Sequence, residues 1–117
     1  MYPIIYYDTS GGKVPVKDFM LSLDKKVFKK VNAVMLLLRE RGANLHRPYS
    51  DHVRGKIREL RIQFAHNSVR ILYFFVIENN IVLLHGFLKK DQKLKESDIS
   101  LAETRMQDWI KRYGGAL

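Results

Sequence analysis

Three β-prone runs follow one another between residues 57 and 88, and the segments joining them are too short for anything but tight turns. Residues 57–64 alternate polar and apolar, residues 69–77 are β-branched and aromatic, and residues 81–88 have the same character. Ala65-His66-Asn67-Ser68 lies in the first gap and Glu78-Asn79-Asn80 in the second. Asparagine tolerates the positive φ that tight hairpins need. Parallel strands need a crossover of a dozen or more residues, so connections this short specify an antiparallel meander.

Helical signals flank the meander. Before it, residues 4–7 form a short β-prone run suited to an edge strand, and Thr9-Ser10-Gly11-Gly12-Lys13 reads as a turn. Pro15 opens a short helix with Val16, Phe19, Met20 and Leu23 on one side. Asp24 caps a longer helix, in which Val27, Val31, Val34, Met35 and Leu38 recur at helical spacing. Lys25, Lys26, Lys29, Lys30 and Arg39 lie on its other side, and Gly42 stops it. Residues 44–55 read as a polar loop. After the meander, Ser97 is the expected cap of a last helix with the stripe Ile99, Ala102, Met106, Trp109 and Tyr113, ended by Gly114 and Gly115. The order β-α-α-β-β-β-α predicts an α+β fold: an N-terminal helical hairpin and a C-terminal helix packed on a small antiparallel sheet, in one domain over 1–117.

Composition narrows the function. The chain is 46% hydrophobic, which excludes wholesale disorder. It has 21 Lys and Arg against 12 Asp and Glu, a formal charge of +9, which favours a polyanionic partner. It has no Cys, so disulfides, thiolate metal sites and thiol catalysis are excluded. His46, His52, His66 and His85 match no ligand spacing, so neither a metal nor a cofactor is expected. The longest apolar run, residues 71–77, is far below the roughly 20 residues that span a bilayer. No signal peptide is visible at the N-terminus, and no membrane association is expected.

Strand alternation sorts the meander side chains. With turns placed at Asn79-Asn80 and His66-Asn67, one face carries Leu60, Ile62, Phe64, Ile71, Tyr73, Phe75, Val82, Leu84 and Leu88. The other carries Glu59, Arg61, Gln63, Arg70, Leu72, Phe74, His85, Phe87 and Lys89. In this register Arg70 opposes Lys89 and Arg61 opposes Leu72. Like charges side by side cost stability, and Glu59 and solvent are what offset them. Two readings fit the second face: a phosphodiester site with aromatic stacking surfaces, or a solvated face of snorkelling cations. Lys89-Lys90-Asp91-Gln92-Lys93 either flanks that site or is a solubilising linker. His85 on this face, and His52 in the loop before it, are candidate acid or base groups.

Three stretches now combine: Glu59-Leu60-Arg61, Arg70-Ile71-Leu72-Tyr73-Phe74, and His85-Gly86-Phe87-Leu88-Lys89-Lys90. With the following helix and its Ile99, Ala102 and Arg105, they resemble the phage-derived, HigB-like branch of the RelE/ParE toxin superfamily over roughly residues 4–113. The resemblance implies a RelE-like fold and the toxin of a type II toxin–antitoxin pair. Such toxins enter the ribosomal A site and cleave mRNA without metal, by attack of a 2′-OH on the adjacent phosphate. By position, Arg70 resembles the arginine that clamps the scissile phosphate. Lys89 or Lys90 resembles the basic residue ending the last strand, and Arg61 the basic residue on the first meander strand. A lysine among clustered cations has its neutral form favoured, which suits proton transfer. Arg54, Lys56, Arg58, Lys93 and Phe87 are the expected RNA contacts. Residues 91–96 lack the tyrosine that RelE carries there, so the acid and base stay open among His52, His85, Lys89 and Lys90. The implied partners are a cognate antitoxin of helix-turn-helix type, the ribosome and mRNA, with operator DNA bound only through the antitoxin complex, all in the cytoplasm. Two alternatives stand: a ParE-like gyrase poison, and a basic nucleic-acid-binding module without activity.

Overall fold

The computed structural model describes residues 1–114. Along the chain lie β1 (Ile4–Tyr6), α1 (Pro15–Leu21), α2 (Lys25–Arg41), β2 (Ser50–Arg54), β3 (Ile57–Phe64), β4 (Asn67–Val76), β5 (Asn80–Leu88) and α3 (Glu96–Tyr113). The expected α+β class is the observed one, and its architecture is consistent with a RelE-like fold. The meander β3-β4-β5 is antiparallel throughout. β1 joins the free edge of β5 in parallel and β2 joins the free edge of β3, giving the order β1-β5-β4-β3-β2.

Several expectations need correction. The sheet is mixed rather than antiparallel, because β1 runs parallel to β5. The predicted polar loop 44–55 contains β2, whose Ser50-Asp51-His52-Val53-Arg54 is polar because an edge strand meets water along one side. α3 starts at Glu96 with Lys95 at the capping position, so Ser97 lies inside the first turn and caps nothing. Its C-terminal cap is Gly114, and Gly115 lies outside the described residues. Pro15 at the first turn of α1, Asp24 accepting from the Lys26 N–H, and Gly42 at φ 55° behave as their residue types require.

The helices cover both faces of the sheet. α1 and α2 bury Val16, Met20, Val31, Val34 and Leu38 against Leu60, Ile62, Ile71, Tyr73, Ile81 and Leu83. On the other face, α3 buries Ala102, Met106 and Trp109 against Leu72, Phe74, Val82 and Leu84. Val82 and Leu84 therefore sit under α3 and not on the first apolar face. The cause is the three-residue turn 77–79, which pairs Phe74 with Val82; a β-bulge follows, where Tyr73 pairs with Leu83 while Leu72 pairs with His85, so Leu84 is the extra residue of β5. Leu84 and His85 then follow each other onto one face. Gly86 turns to the opposite face, where a Cβ would lie 2.5 Å from Phe19 Cδ2. Only glycine lets α1 approach β5 this closely.

Candidate functional site

The α3 face of the sheet is apolar where the helix covers it and polar beyond, towards the β3–β4 turn. The pairings set its layout. Arg61, Arg70 and Phe87 form one lateral row, and Glu59, Leu72 and His85 form the next. Lys89 continues β5 by donating its backbone N–H to the Ser68 carbonyl at 2.7 Å. Arg70 thus stands between Arg61 and Phe87. The expected pairings of Arg70 with Lys89 and of Arg61 with Leu72 are both wrong by two residues: the β3–β4 turn centres on Ala65-His66, and the three-residue β4–β5 turn shifts β5 by three before the bulge at Leu84 takes one back. A shift of two preserves the face, so the cationic cluster survives the error.

One carboxylate holds the two arginines. Glu59 Oε1 lies 3.3 Å from Arg61 Nε and 3.2 Å from Arg70 Nε. Arg70 Nη1 donates to Ser68 Oγ at 2.8 Å and to the Val69 carbonyl at 3.2 Å. The side chains of Arg70 and Glu59 are only 6% and 11% exposed, whereas that of Arg61 is 36% exposed. Burial pushes the Arg70 guanidinium below its usual pKa, and the Glu59 carboxylate pulls it back up. Arginine stays charged regardless. Arg70 is therefore a buried, paired cation and not the snorkelling surface group that the sequence left open. Arg61 is the member that solvent or a ligand reaches.

His85 is the second element of the site. Its Nε2 lies 2.7 Å from Asp98 Oδ1, in the first turn of α3, and its ring stacks on Phe87 at 4.9 Å between centroids. Burial lowers the imidazole pKa, the Asp98 carboxylate opposes that, and Arg105 adds to it. In the neutral ring, Nε2–H donates to Asp98. Sequence reading passed over Asp98, whose position in the site depends on how α3 docks. Past β5, Lys89 Nζ donates to the Gln92 carbonyl at 2.7 Å. A cleft of about 280 Å³ opens there, lined by Phe87, Lys89, Lys90, Lys93 and Asp98 among others.

Other candidates lie elsewhere. His52 pairs with Arg58, and alternation puts both on the α2 side of the sheet, away from Arg61 and Arg70. The His52 ring is held 2.9 Å from the Gly55 carbonyl, and Arg58 Nη2 donates to Ser50 Oγ. Arg54 spends its guanidinium on Glu96 and Glu103 of α3, and these carboxylates hold its pKa well above the usual arginine range. Lys56 is exposed in the β2–β3 turn. Among the described residues, no three His, Asp or Glu side chains come together as a metal site, and no helix is long and apolar enough to cross a membrane.

The profile of the phage-derived Gp49-like protein family (DUF891) matches residues 18–107, from within α1 to within α3. The chain belongs to this family. The Gp49-like family is RelE-like and toxin-like, of the kind found in toxin–antitoxin systems. The matched span of this Gp49-like protein includes Glu59, Arg61, Arg70, His85, Lys89 and Asp98. No curated protein matches the chain.

Proposed function

We propose that this Gp49-like protein is the toxin of a type II toxin–antitoxin pair, of HigB-like type. In this reading it is a cytoplasmic, ribosome-dependent endoribonuclease that cuts mRNA without metal and so stops translation. The observation that carries the proposal is the row Arg61–Arg70–Phe87, in which one buried carboxylate holds two guanidiniums beside an aromatic ring. A gyrase poison has no need of such a row.

The chemistry follows from what the groups can do. Arg61, the reachable guanidinium, binds a scissile phosphate in the ground state. Arg70, fixed by Glu59 and Ser68, adds positive potential as phosphorane charge builds, at no cost of reorganisation. A neutral His85, oriented by Asp98, accepts the 2′-OH proton. Lys89 or Lys90 donates a proton to the departing 5′-oxygen, leaving a 2′,3′-cyclic phosphate. Phe87 stacks a neighbouring base, and Lys93 contacts backbone phosphate. The ribosome supplies the alignment of the RNA.

Induced expression in a heterologous bacterium, with transcript 5′ ends mapped genome-wide, tests this reading. Breaks confined to translated codons, absent from an Arg61→Ala strain, are expected. Growth arrest with intact transcripts and accumulated gyrase–DNA adducts would replace the proposal with the gyrase-poison alternative. Robust cutting of ribosome-free RNA that EDTA abolishes would overturn its ribosome-dependent, metal-free form.

A further inference from the structure

The four lysines at the start of α2 stand at the wrong end of their helix. The first turns of an α-helix carry partial positive charge, which favours acidic side chains and disfavours basic ones. α2 nevertheless has no acidic residue in its first turn, and Lys25, Lys26, Lys29 and Lys30 occupy four of its first six positions. Lys25 with Lys29 and Lys26 with Lys30 are like-charged pairs one turn apart, which repel. Asp24 is the only carboxylate beside them in sequence, and it accepts from the Lys26 backbone N–H. Among the described residues no lysine of the four is within ion-pair distance of a carboxylate. All four are exposed, on the side of α2 away from its buried Val27, Val31, Val34 and Leu38.

The geometry points to a second surface for RNA, on the layer opposite Arg61 and Arg70. We infer that the N-terminal half of α2 binds the phosphate backbone of a structured RNA, without reading its sequence. Three observations favour RNA over an acidic protein. The stripe offers charge alone: its members are four exposed lysines, each a point charge at the end of a long side chain. About one and a half turns of helix carry the lysines from 25 to 30 along roughly 7.5 Å, a span matched by a repeating polyanion. The chain's charge of +9 makes counterion release the dominant drive for such contact. The inference stands without the nuclease reading, because it concerns binding on another layer.

The test is equilibrium binding of a fluorescent RNA stem-loop across a salt series. The proteins compared are the unmodified chain, a Lys25→Gln/Lys26→Gln/Lys29→Gln/Lys30→Gln variant, and Arg61→Gln. If each lysine meets a phosphate, the quadruple variant loses about 3 from the slope of log affinity against log salt, while Arg61→Gln loses about 1 at most. Melting temperature is the second readout. Because the lysines oppose the helix dipole and one another, the quadruple variant should be as stable as the parent or more so. A Lys26→Gln/Lys30→Gln variant, removing one repelling pair, should lose about half the slope. An unchanged slope in both variants would overturn the inference. So would an unchanged RNA slope accompanied by lost binding to anionic phospholipid vesicles or to a polyglutamate peptide. If Arg61→Gln abolishes cleavage while the quadruple variant keeps its RNA slope, the nuclease reading survives and this one fails.

Discussion

Arg70 shows how burial changes what a mutation reports. Its side chain shares Glu59 with Arg61 under almost complete burial, so removing it leaves a carboxylate enclosed with one half-exposed partner. Breaking such a pair costs about 3–5 kcal/mol in general. Arg70→Ala should therefore lose both activity and stability, and Glu59→Gln should destabilise by a similar amount. No repulsion with Lys89 offsets this loss, because Arg70 pairs with Phe87 and not with Lys89. Arg61→Ala separates the two effects. Urea unfolding should show a change below about 1 kcal/mol, while RNA cleavage falls by on the order of a hundredfold for the lost donor. If chemical denaturation finds Arg61→Ala as unstable as Arg70→Ala, the division of labour between the two arginines is wrong. His85 gives a pH prediction. Burial depresses its pKa in the folded state, so the unfolded chain binds the proton more readily below about 6.5. Stability is then complete above 6.5 and declines as pH falls towards the depressed folded value. His85→Gln should flatten that decline between pH 7 and 5, measured by thermal melts at matched ionic strength. An unchanged profile would show that His85 is not the titrating group.

At the scale of elements, the bulge in β5 decides which residues join the site. If β5 ran on regularly through Leu84 instead of bulging there, the residues beyond would alternate to the other face, and His85, Phe87 and Lys89 would leave Arg70. α3 holds the bulge: Arg105 Nη1 donates to the Leu84 carbonyl at 2.8 Å, and its guanidinium lies 5.8 Å from the centre of the Tyr7 ring. Arg112 flanks the same ring at 5.4 Å, and the Tyr7 hydroxyl donates to Asp108 at 2.7 Å. Arg105→Ala leaves the bulge carbonyl without this donor, a cost of about 1–3 kcal/mol. The ring resonances of His85 and Phe87 should shift in proton NMR, and Arg105→Lys should restore them in part. Unmoved resonances would disconnect Arg105 from the site. Gly86→Ala attacks the same strand from the other face, because the added methyl would meet the Phe19 ring. Overpacking of this kind costs about 1–3 kcal/mol and should lower the melting temperature without altering Arg61.

For the whole molecule, the layers divide the tasks. α1 and α2 close one face of the sheet, and α3 closes part of the other, leaving the polar rows open beside its N-terminus. The charge of +9 is carried by a molecule whose buried ion pairs account for few of its cations. A free cation of this size binds RNA non-specifically, so a cell that keeps it needs a neutralising partner. Co-expression with the adjacent small reading frame should yield a stable complex in pull-down, with an acidic or amphipathic partner segment. The complex should bind operator DNA, and the isolated chain should not bind it selectively. Failure of both flanking gene products to form a complex would count against the toxin reading.

The sequence by itself determined the meander, the two N-terminal helices with their caps, the last helix, and the sorting of Glu59, Arg61 and Arg70 onto one face. Those features are written in local periodicity and turn chemistry, which neighbours in the chain enforce. The edge strands were less legible. β2 carries polar residues because water meets it, so it has the composition of a loop. The parallel pairing of β1 with β5 joins segments some seventy-five residues apart, and no local signal encodes it. The site was legible as a cluster of cations but not as a structure. Tertiary packing decided that Arg70 is buried on Glu59, that a bulge brings His85 and Phe87 to it, and that Asp98 docks on His85. It also took His52, Arg54 and Arg58 away to other partners. Period-two alternation assigns a side chain to a face, but burial, register and partner depend on which elements press on that face, and that is fixed only when the layers close.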